Sequence, residues 1–238
     1  LIPFQFYVKR KKLKNSHFIL FFSLICNSLF SQIYEVGYIH GKSNFIGDVG
    51  DTKFVNPFQK NISNNNVSGF SLKWNRSPRH SIKLTFIKSN LIANDINSKD
   101  PRRIERGYSF STPISEISAG IEFNMLDFNL HEDYDIFSPY MYTGLSFSKF
   151  DEILLQADNL ISANKKNKSF GIPMIIGLKV RFLEKFIFSM EGGARYVFSD
   201  EIDGNSSLNP NFGNINNNDW YFFSSLGISY TFGRRPCY

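Results

Sequence analysis

The stretch Ser169–Phe182, "SFGIPMIIGLKVRF", puts Phe170, Ile172, Met174, Ile176, Leu178, Val180 and Phe182 on one face of a strand. Gly171, Pro173, Ile175, Gly177, Lys179 and Arg181 fall on the other. Successive side chains of a strand point to opposite faces, so a two-residue period held this long describes a strand with one greasy face and one carrying charge and glycine. The pattern recurs. Phe70, Leu72 and Trp74 alternate with Gly69, Ser71 and Lys73, and Ile117, Ala119, Ile121, Phe123 and Met125 alternate with Glu116, Ser118, Gly120, Glu122 and Asn124. Phe186, Phe188, Met190, Gly192, Ala194, Tyr196 and Phe198 oppose Ile187, Ser189, Glu191, Gly193, Arg195, Val197 and Ser199.

Eight strands are predicted, over Ile33–Ser43, Val67–Asn75, Ser81–Ile92, Ser115–Asp127, Ser138–Asp151, Ser169–Phe182, Phe186–Ser199 and Trp220–Phe232, with no convincing amphipathic helix. Each is about as long as a tilted strand needs to cross a bilayer. Long polar connections follow the first, third, fifth and seventh strands, the third of them "EILLQADNLISANKKNK"; shorter ones, "RSPRH", "FNLHEDYDIF" and "LEK", follow the second, fourth and sixth. An even strand count with long loops at one end and short turns at the other is the pattern of an outer-membrane barrel.

Periodicity alone does not say which face is wet. A water-soluble barrel would turn the apolar face inward. Three features favour the inverse arrangement. One is the sorting of loop lengths; another is the aromatics near strand ends, Tyr34, Trp74, Tyr140, Phe150, Tyr196, Phe198, Trp220, Tyr230 and Phe232, where a bilayer interface would hold them. The third is the start of the chain. The basic block Lys9–Lys14 precedes an apolar run from Phe18 to Phe30 and then Ser31-Gln32, the order of a secretory signal peptide too short to span a bilayer as a helix. Cleavage after Ser31 is expected; Cys26 does not suggest a lipid anchor, because Ile25 before it is too large for that processing. The strand beginning at Ser138 fits least well, since Tyr140 and Tyr142 lie out of phase with Met141, Leu145 and Phe147.

The organisation read from the chain is therefore a signal peptide over residues 1–31 and, over 32–238, an all-β, eight-stranded antiparallel transmembrane barrel with four long extracellular loops and a short periplasmic tail. Removing the signal takes away five basic residues and no acidic one, so the formal charge of +6 falls to +1. The basic pI belongs to targeting, and nucleic-acid binding loses its support. Only Cys237 survives cleavage, which excludes an internal disulfide.

With the charged face turned inward, the lumen holds Glu35, Glu116, Glu122 and Glu191 against Lys73, Lys83, Lys179, Arg181 and Arg195. Eight strands enclose a space that side chains largely fill, so these nearly balanced charges predict a paired plug rather than an open channel. No chemistry is evident. The histidines at 17, 40, 80 and 131 have no zinc spacing, "DEIDGNSSLNPN" lacks the acids of a calcium loop, and no nucleophile elbow or phosphate-cradling loop occurs. No catalytic residue, metal or cofactor is expected. "KDPRRIERGYSF", with Arg102, Arg103, Arg106, Tyr108 and Phe110, is the exposed loop best suited to an acidic partner or a lipid phosphate.

Several segments together, "YEVGYIHGKSNFIGDVG", "LKWNRSPRHSIKL", "PRRIERGYSFSTPISEISAGIEFNMLDFNLH", "SPYMYTGLSF", "EGGARYVFSDEIDG" and "NDWYFFSSLGISYTFGRRPCY", resemble the PorG family of the Bacteroidetes type IX secretion system, in order and over almost the whole mature chain. The resemblance implies a non-enzymatic structural barrel in contact with outer-membrane lipids. It also implies association with the ring-forming lipoprotein and periplasmic subunits of a machine that exports proteins bearing a C-terminal sorting domain, gliding adhesins among them. The family supplies no catalytic residues. Topology makes Arg76 and Arg79 in "NRSPRH", and Arg234 and Arg235 in the tail, the first candidates for periplasmic partner contacts. The rival reading is a free-standing small barrel acting as an adhesin or surface-binding protein through its long loops; a third is a soluble ligand-binding barrel.

Overall fold

The computed structural model describes residues 33–47, 49–50, 65–131, 136–156, 159–199, 202 and 219–233. The expected signal peptide, Arg234, Arg235 and Cys237 lie outside these residues. Eight strands, β1 (Ile33–Ile46), β2 (Asn66–Asn75), β3 (His80–Asn94), β4 (Ser109–Asn124), β5 (Phe137–Gln156), β6 (Asn159–Phe182), β7 (Phe186–Val197) and β8 (Trp220–Phe232), form a closed barrel in sequence order. Every neighbouring pair is antiparallel, and β1 closes on β8 from Tyr34↔Phe232 to Ile46↔Trp220. Closure leaves no edge strand, the condition for backbone to cross hydrocarbon with its polar groups satisfied.

The polarity of the wall is inverted. Phe70, Leu72, Ile121, Leu145, Phe170 and Ile176 are between 52% and 66% exposed on the outside. Glu35, Lys83, Glu116, Glu122, Lys179 and Arg181 are at most 1% exposed within. Water would penalise that outer face heavily, whereas lipid accepts it, so the barrel is a membrane barrel of the outer-membrane kind and is located there. The soluble-barrel reading is thereby excluded. Outer-membrane barrels as a class carry short turns on the periplasmic side, and by that expectation the end holding residues 76–79 and 183–185 is called the periplasmic end.

Several expectations need correction. The segment expected to be the third long loop is strand: β5 and β6 continue to Gln156 and start again at Asn159, with Ile153↔Ser162 through Gln156↔Asn159 paired beyond a bulge at Asp151/Ile153. Its Ile153-Leu154-Leu155 and Leu160-Ile161 runs supply the apolar, β-compatible residues of a hairpin, with Leu154 paired to Ile161 and Leu155 to Leu160, and Ile153 is buried inside the wall. The second long loop holds a 3-10 turn (Asp95–Asn97) and one short helix, α1 (Pro101–Arg106). Asp100 caps α1 by accepting from the Arg102 amide, Pro101 occupies its first turn, and Gly107, at φ 68°, ends it in the left-handed conformation that glycine tolerates best. Tyr140 and Phe150 are not interface aromatics; both are 1% exposed and point inward. That resolves the phase of β5, in which Met141 and Leu145 face out and Tyr140 and Tyr142 face in.

The β6–β7 connection is unusually tight. Leu183 and Glu184 both have positive φ, 48° and 56°, the backbone that a mirror-image hairpin turn demands and that Asn-Gly ordinarily supplies.

Candidate functional site: the filled lumen

Three layers fill the interior. At the periplasmic end Ile33, Phe128, Leu130, Ile136 and Ile187 form a small apolar floor. Phe128 and Leu130 belong to the β4–β5 connection, which folds back beneath the barrel; Arg181 donates to the Leu130 carbonyl at 3.2 Å, and the Lys179 ammonium lies 4.4 Å from the centre of the Phe128 ring.

Above the floor lies the charged layer, centred on Glu122. Its Oε1 accepts from Lys179 at 2.6 Å and from Lys73 at 2.9 Å, and its Oε2 faces Lys83 at 3.7 Å. Lys73 also faces Glu35 at 3.3 Å, and Glu35 accepts from Asn75 at 2.8 Å. Lys83 pairs with Glu191, which accepts a hydrogen bond from the Tyr140 hydroxyl at 2.6 Å. Lys73 and Lys83 are direct cross-strand partners, a juxtaposition that would repel if no acid lay between them and the rest of the lumen. The Tyr140 ring fills the centre: the ammonium groups of Lys73, Lys83 and Lys179 lie 5.7, 5.7 and 5.3 Å from its centroid. Gly177 makes room for it, since a Cβ there would come within 2.5 Å of a Tyr140 ring carbon.

A second polar group sits further toward the long-loop end. Arg195 faces Glu116 at 3.6 Å and stacks 4.2 Å over the Phe223 ring. Glu116 accepts from the Tyr221 hydroxyl, which also meets Ser148 at 3.0 Å. Tyr142 and Thr85 share the Ser118 hydroxyl at 3.0 and 2.5 Å. Above these groups an apolar cap closes the interior, with Phe45, Val49, Val67, Ile87, Leu91, Phe110, Ile114, Phe150, Val197, Ile202 and Phe223 in one cluster.

All nine charged residues assigned to the lumen from the sequence thus lie on inward-facing strand positions, eight of them in two ion-pair groups and Arg181 at the floor. Sequence reasoning missed the three tyrosines, 140, 142 and 221, which supply neutral hydroxyls to carboxylates and serines; the phase of β5 was the available signal for two of them. The apolar cap was also missed, because its members are spread over strands and loops. A buried charge layer between two apolar layers fills the described interior with paired side chains. Among the described residues no three His, Cys, Asp or Glu side chains are placed to hold a metal.

Two other sets of residues complete the picture. At the periplasmic end Arg76 is exposed, and Arg79, itself part-exposed, pairs with Asp127 on the surface and donates to the Met125 carbonyl at 2.5 Å. At the long-loop end the loop arginines are also mostly engaged. Arg103 donates to the Gly50 carbonyl at 2.9 Å, and Arg106 pairs with buried Asp95 at 2.9 Å; Asp95 further accepts from the amides of Gly50 and Tyr108. Phe110 is buried in the cap and Tyr108 lies against Arg106, so of the expected anion grip only Arg102 stays largely open.

A family model described as a domain of unknown function, DUF6089, matches residues 14–238. No curated protein matches the sequence. Among solved structures the chain is similar to the N-terminal barrel domain of Pseudomonas aeruginosa OprF, at 11% identity and TM-score 0.45 over 85% of this chain and 99% of that one. It is likewise similar to Ail, the attachment invasion locus protein of Yersinia pestis, at 12% identity and TM-score 0.44 over 85% and 99% of the two chains. Neisserial surface protein A is similar at 11% identity and TM-score 0.44 over 84% and 97%. The membrane assignment rests on the inverted wall and not on these distant likenesses.

Proposed function

We propose that this chain, which belongs to the DUF6089 family, is a structural, non-enzymatic outer-membrane subunit of a type IX protein secretion machine, holding the ring-forming lipoprotein and periplasmic subunits at the membrane. The observation that carries the reading is the filled lumen: Glu122 with its three lysines, closed above and below by apolar layers, suits an anchor and not a conduit. The ordered run of segments resembling the PorG family supplies the identity of the machine. Arg76 is the open cation of the 76–79 turn and the first periplasmic contact to test; Arg79, part-exposed and paired with Asp127 on the surface, is the second. Deleting the gene is expected to trap sorting-domain cargo in the periplasm. Normal export after deletion would reject the secretion role while leaving the barrel intact.

The adhesin reading keeps one specific support. Asp95 with Arg103 and Arg106 laces two surface loops into a set shape, and a preorganised surface is what recognition needs. Normal export together with loss of surface attachment would select it.

A further inference from the structure

Two rows of outward-facing residues run side by side across the wall, along the direction of strand pairing. The first is Tyr38–Phe70–Phe86–Ile117–Phe147–Phe170, each paired with the next from β1 to β6. The second lies one pair closer to the long-loop end and reads His40–Ser68–Lys88–Ser115–Lys149–Lys168 on the same six strands. The step between them is about 6.6 Å along each strand, at roughly 3.3 Å per residue. The aromatic row is lipid-facing, with Phe147 and Phe170 in contact at 5.3 Å between centroids. The second row has three lysines, two serines, one histidine and no acid.

Within it Lys149 and Lys168 are direct cross-strand partners, both exposed. Like charges in that position repel, and beside hydrocarbon the repulsion is screened less than in water. No ion pair joins Lys88, Lys149 or Lys168 to an acid among the described residues. The nearest acid of the adjoining row, Asp151, faces Lys166 at 3.8 Å instead. Lys88 lies 5.7 Å from the Phe86 ring, an ammonium held at the border of the aromatic row.

We propose that this row binds the phosphate-bearing headgroup of an outer-leaflet lipid, with Lys149 and Lys168 clamping one phosphate, Ser115 and Lys88 extending the site, and the acyl chains lying against Phe86, Phe147 and Phe170. A dianionic phosphate turns the like-charge pair into two charge-assisted contacts. The position selects a lipid over a soluble acidic partner, because anything occupying the row also rests on the lipid-exposed aromatics. Residues that span β3 to β6 with one sign of charge and hydroxyls between suit a headgroup spread over several strands.

The test uses the full mature chain folded into phosphatidylcholine vesicles, with bisphosphorylated lipid A titrated in and binding read from the urea unfolding midpoint. The double variant Lys149→Ser/Lys168→Ser is expected to bind lipid A about thirtyfold more weakly, on the usual contribution of a lysine near an anionic membrane surface. Without lipid A it should unfold no earlier than the native barrel, because a repulsive pair has gone. Lys149→Arg/Lys168→Arg should keep binding, and Lys99→Ser, on the exposed loop, should leave it unchanged. Dephosphorylated lipid A and free inorganic phosphate should each fail to raise the midpoint. Equal binding by the serine variant, equal loss in the loop variant, or an equal rise with either phosphate control would overturn the proposal.

Discussion

Replacing Glu122 by Gln keeps the shape of the side chain and removes the only charge that three lysines share. Glu122 is wholly buried and faces Lys179, Lys73 and Lys83 at 2.6, 2.9 and 3.7 Å. At an effective dielectric near 20, each contact inside 4 Å is worth about 4 kcal/mol or more before desolvation is counted. Desolvation of the ions offsets most of that in the native barrel, but removing one partner forfeits the attraction while the lysines stay buried. The expected loss is therefore in the range found on breaking buried pairs, about 3–5 kcal/mol. Urea unfolding of the barrel in lipid vesicles, followed by tryptophan fluorescence and by the heat-dependent shift of gel mobility, measures it. Lys179→Met in the Glu122→Gln background should recover part of the loss, since the buried charge left over is then smaller. A loss below about 1 kcal/mol, the worth of a surface ion pair, would refute the reasoning by showing that water reaches this layer.

Three further outcomes follow from local geometry. Leu183→Asn with Glu184→Gly relieves two side-chain-bearing residues of positive φ, and should raise stability by about 1–2 kcal/mol in urea unfolding with no change in the strand spectrum. Gly177→Ala should cost about 1–3 kcal/mol, because the new Cβ meets the Tyr140 ring, and the cost should shrink when Tyr140→Leu is already present, as a double-mutant cycle would record. Asp95→Ala leaves Gly50, Tyr108 and Arg106 without their shared acceptor; trypsin added to intact cells should then cut at Arg102, Arg103 or Arg106 faster than in the native protein, while the urea midpoint of the barrel stays put.

The wall was legible in the sequence because period-two alternation is a local signal with only two outcomes, and the phase of Ser169–Phe182 or of β4 settles every residue on it at once. Tyr140 and Tyr142 show where that logic needs chemistry. An aromatic ring on the charged face looks like an error of phase until its hydroxyl is given a carboxylate or serine partner across the lumen. The third connection misled for a different reason. "EILLQADNLISANKKNK" has the polar content of a loop, yet its Ile and Leu residues pair across a bulge, and pairing depends on the partner strand and not on composition. The cap was hidden because Phe45, Phe110 and Val197 come together only when strands far apart in sequence close on one another. Arg103 and Arg106 read as a free anion grip for a related reason, since the carbonyl and carboxylate that hold them sit on other parts of the loops.

An inverted barrel divides its sources of stability in a way that bears on what it does. The lipid-facing wall contributes nothing specific to any one alignment of strands, since Phe70, Ile121 and Ile176 meet acyl chains wherever they lie. The lumen carries the specificity. Glu122 meets Lys73, Lys83 and Lys179 from three different strands only in the observed register, and a one-residue slip of any of them would send an ammonium into lipid. A charge layer of this kind is costly relative to an apolar filling of equal volume, and register is what it provides in return. On the proposed anchor role, a fixed register would matter because it fixes the spacing of the turns at 76–79 and 183–185, the surface which that proposal assigns to periplasmic partners. Replacing Lys73, Lys83, Glu122 and Glu191 together with apolar residues of matched volume separates the two roles: a barrel that stays folded yet no longer retains the ring subunits would assign the charge layer to positioning, and one that retains them would confine it to folding.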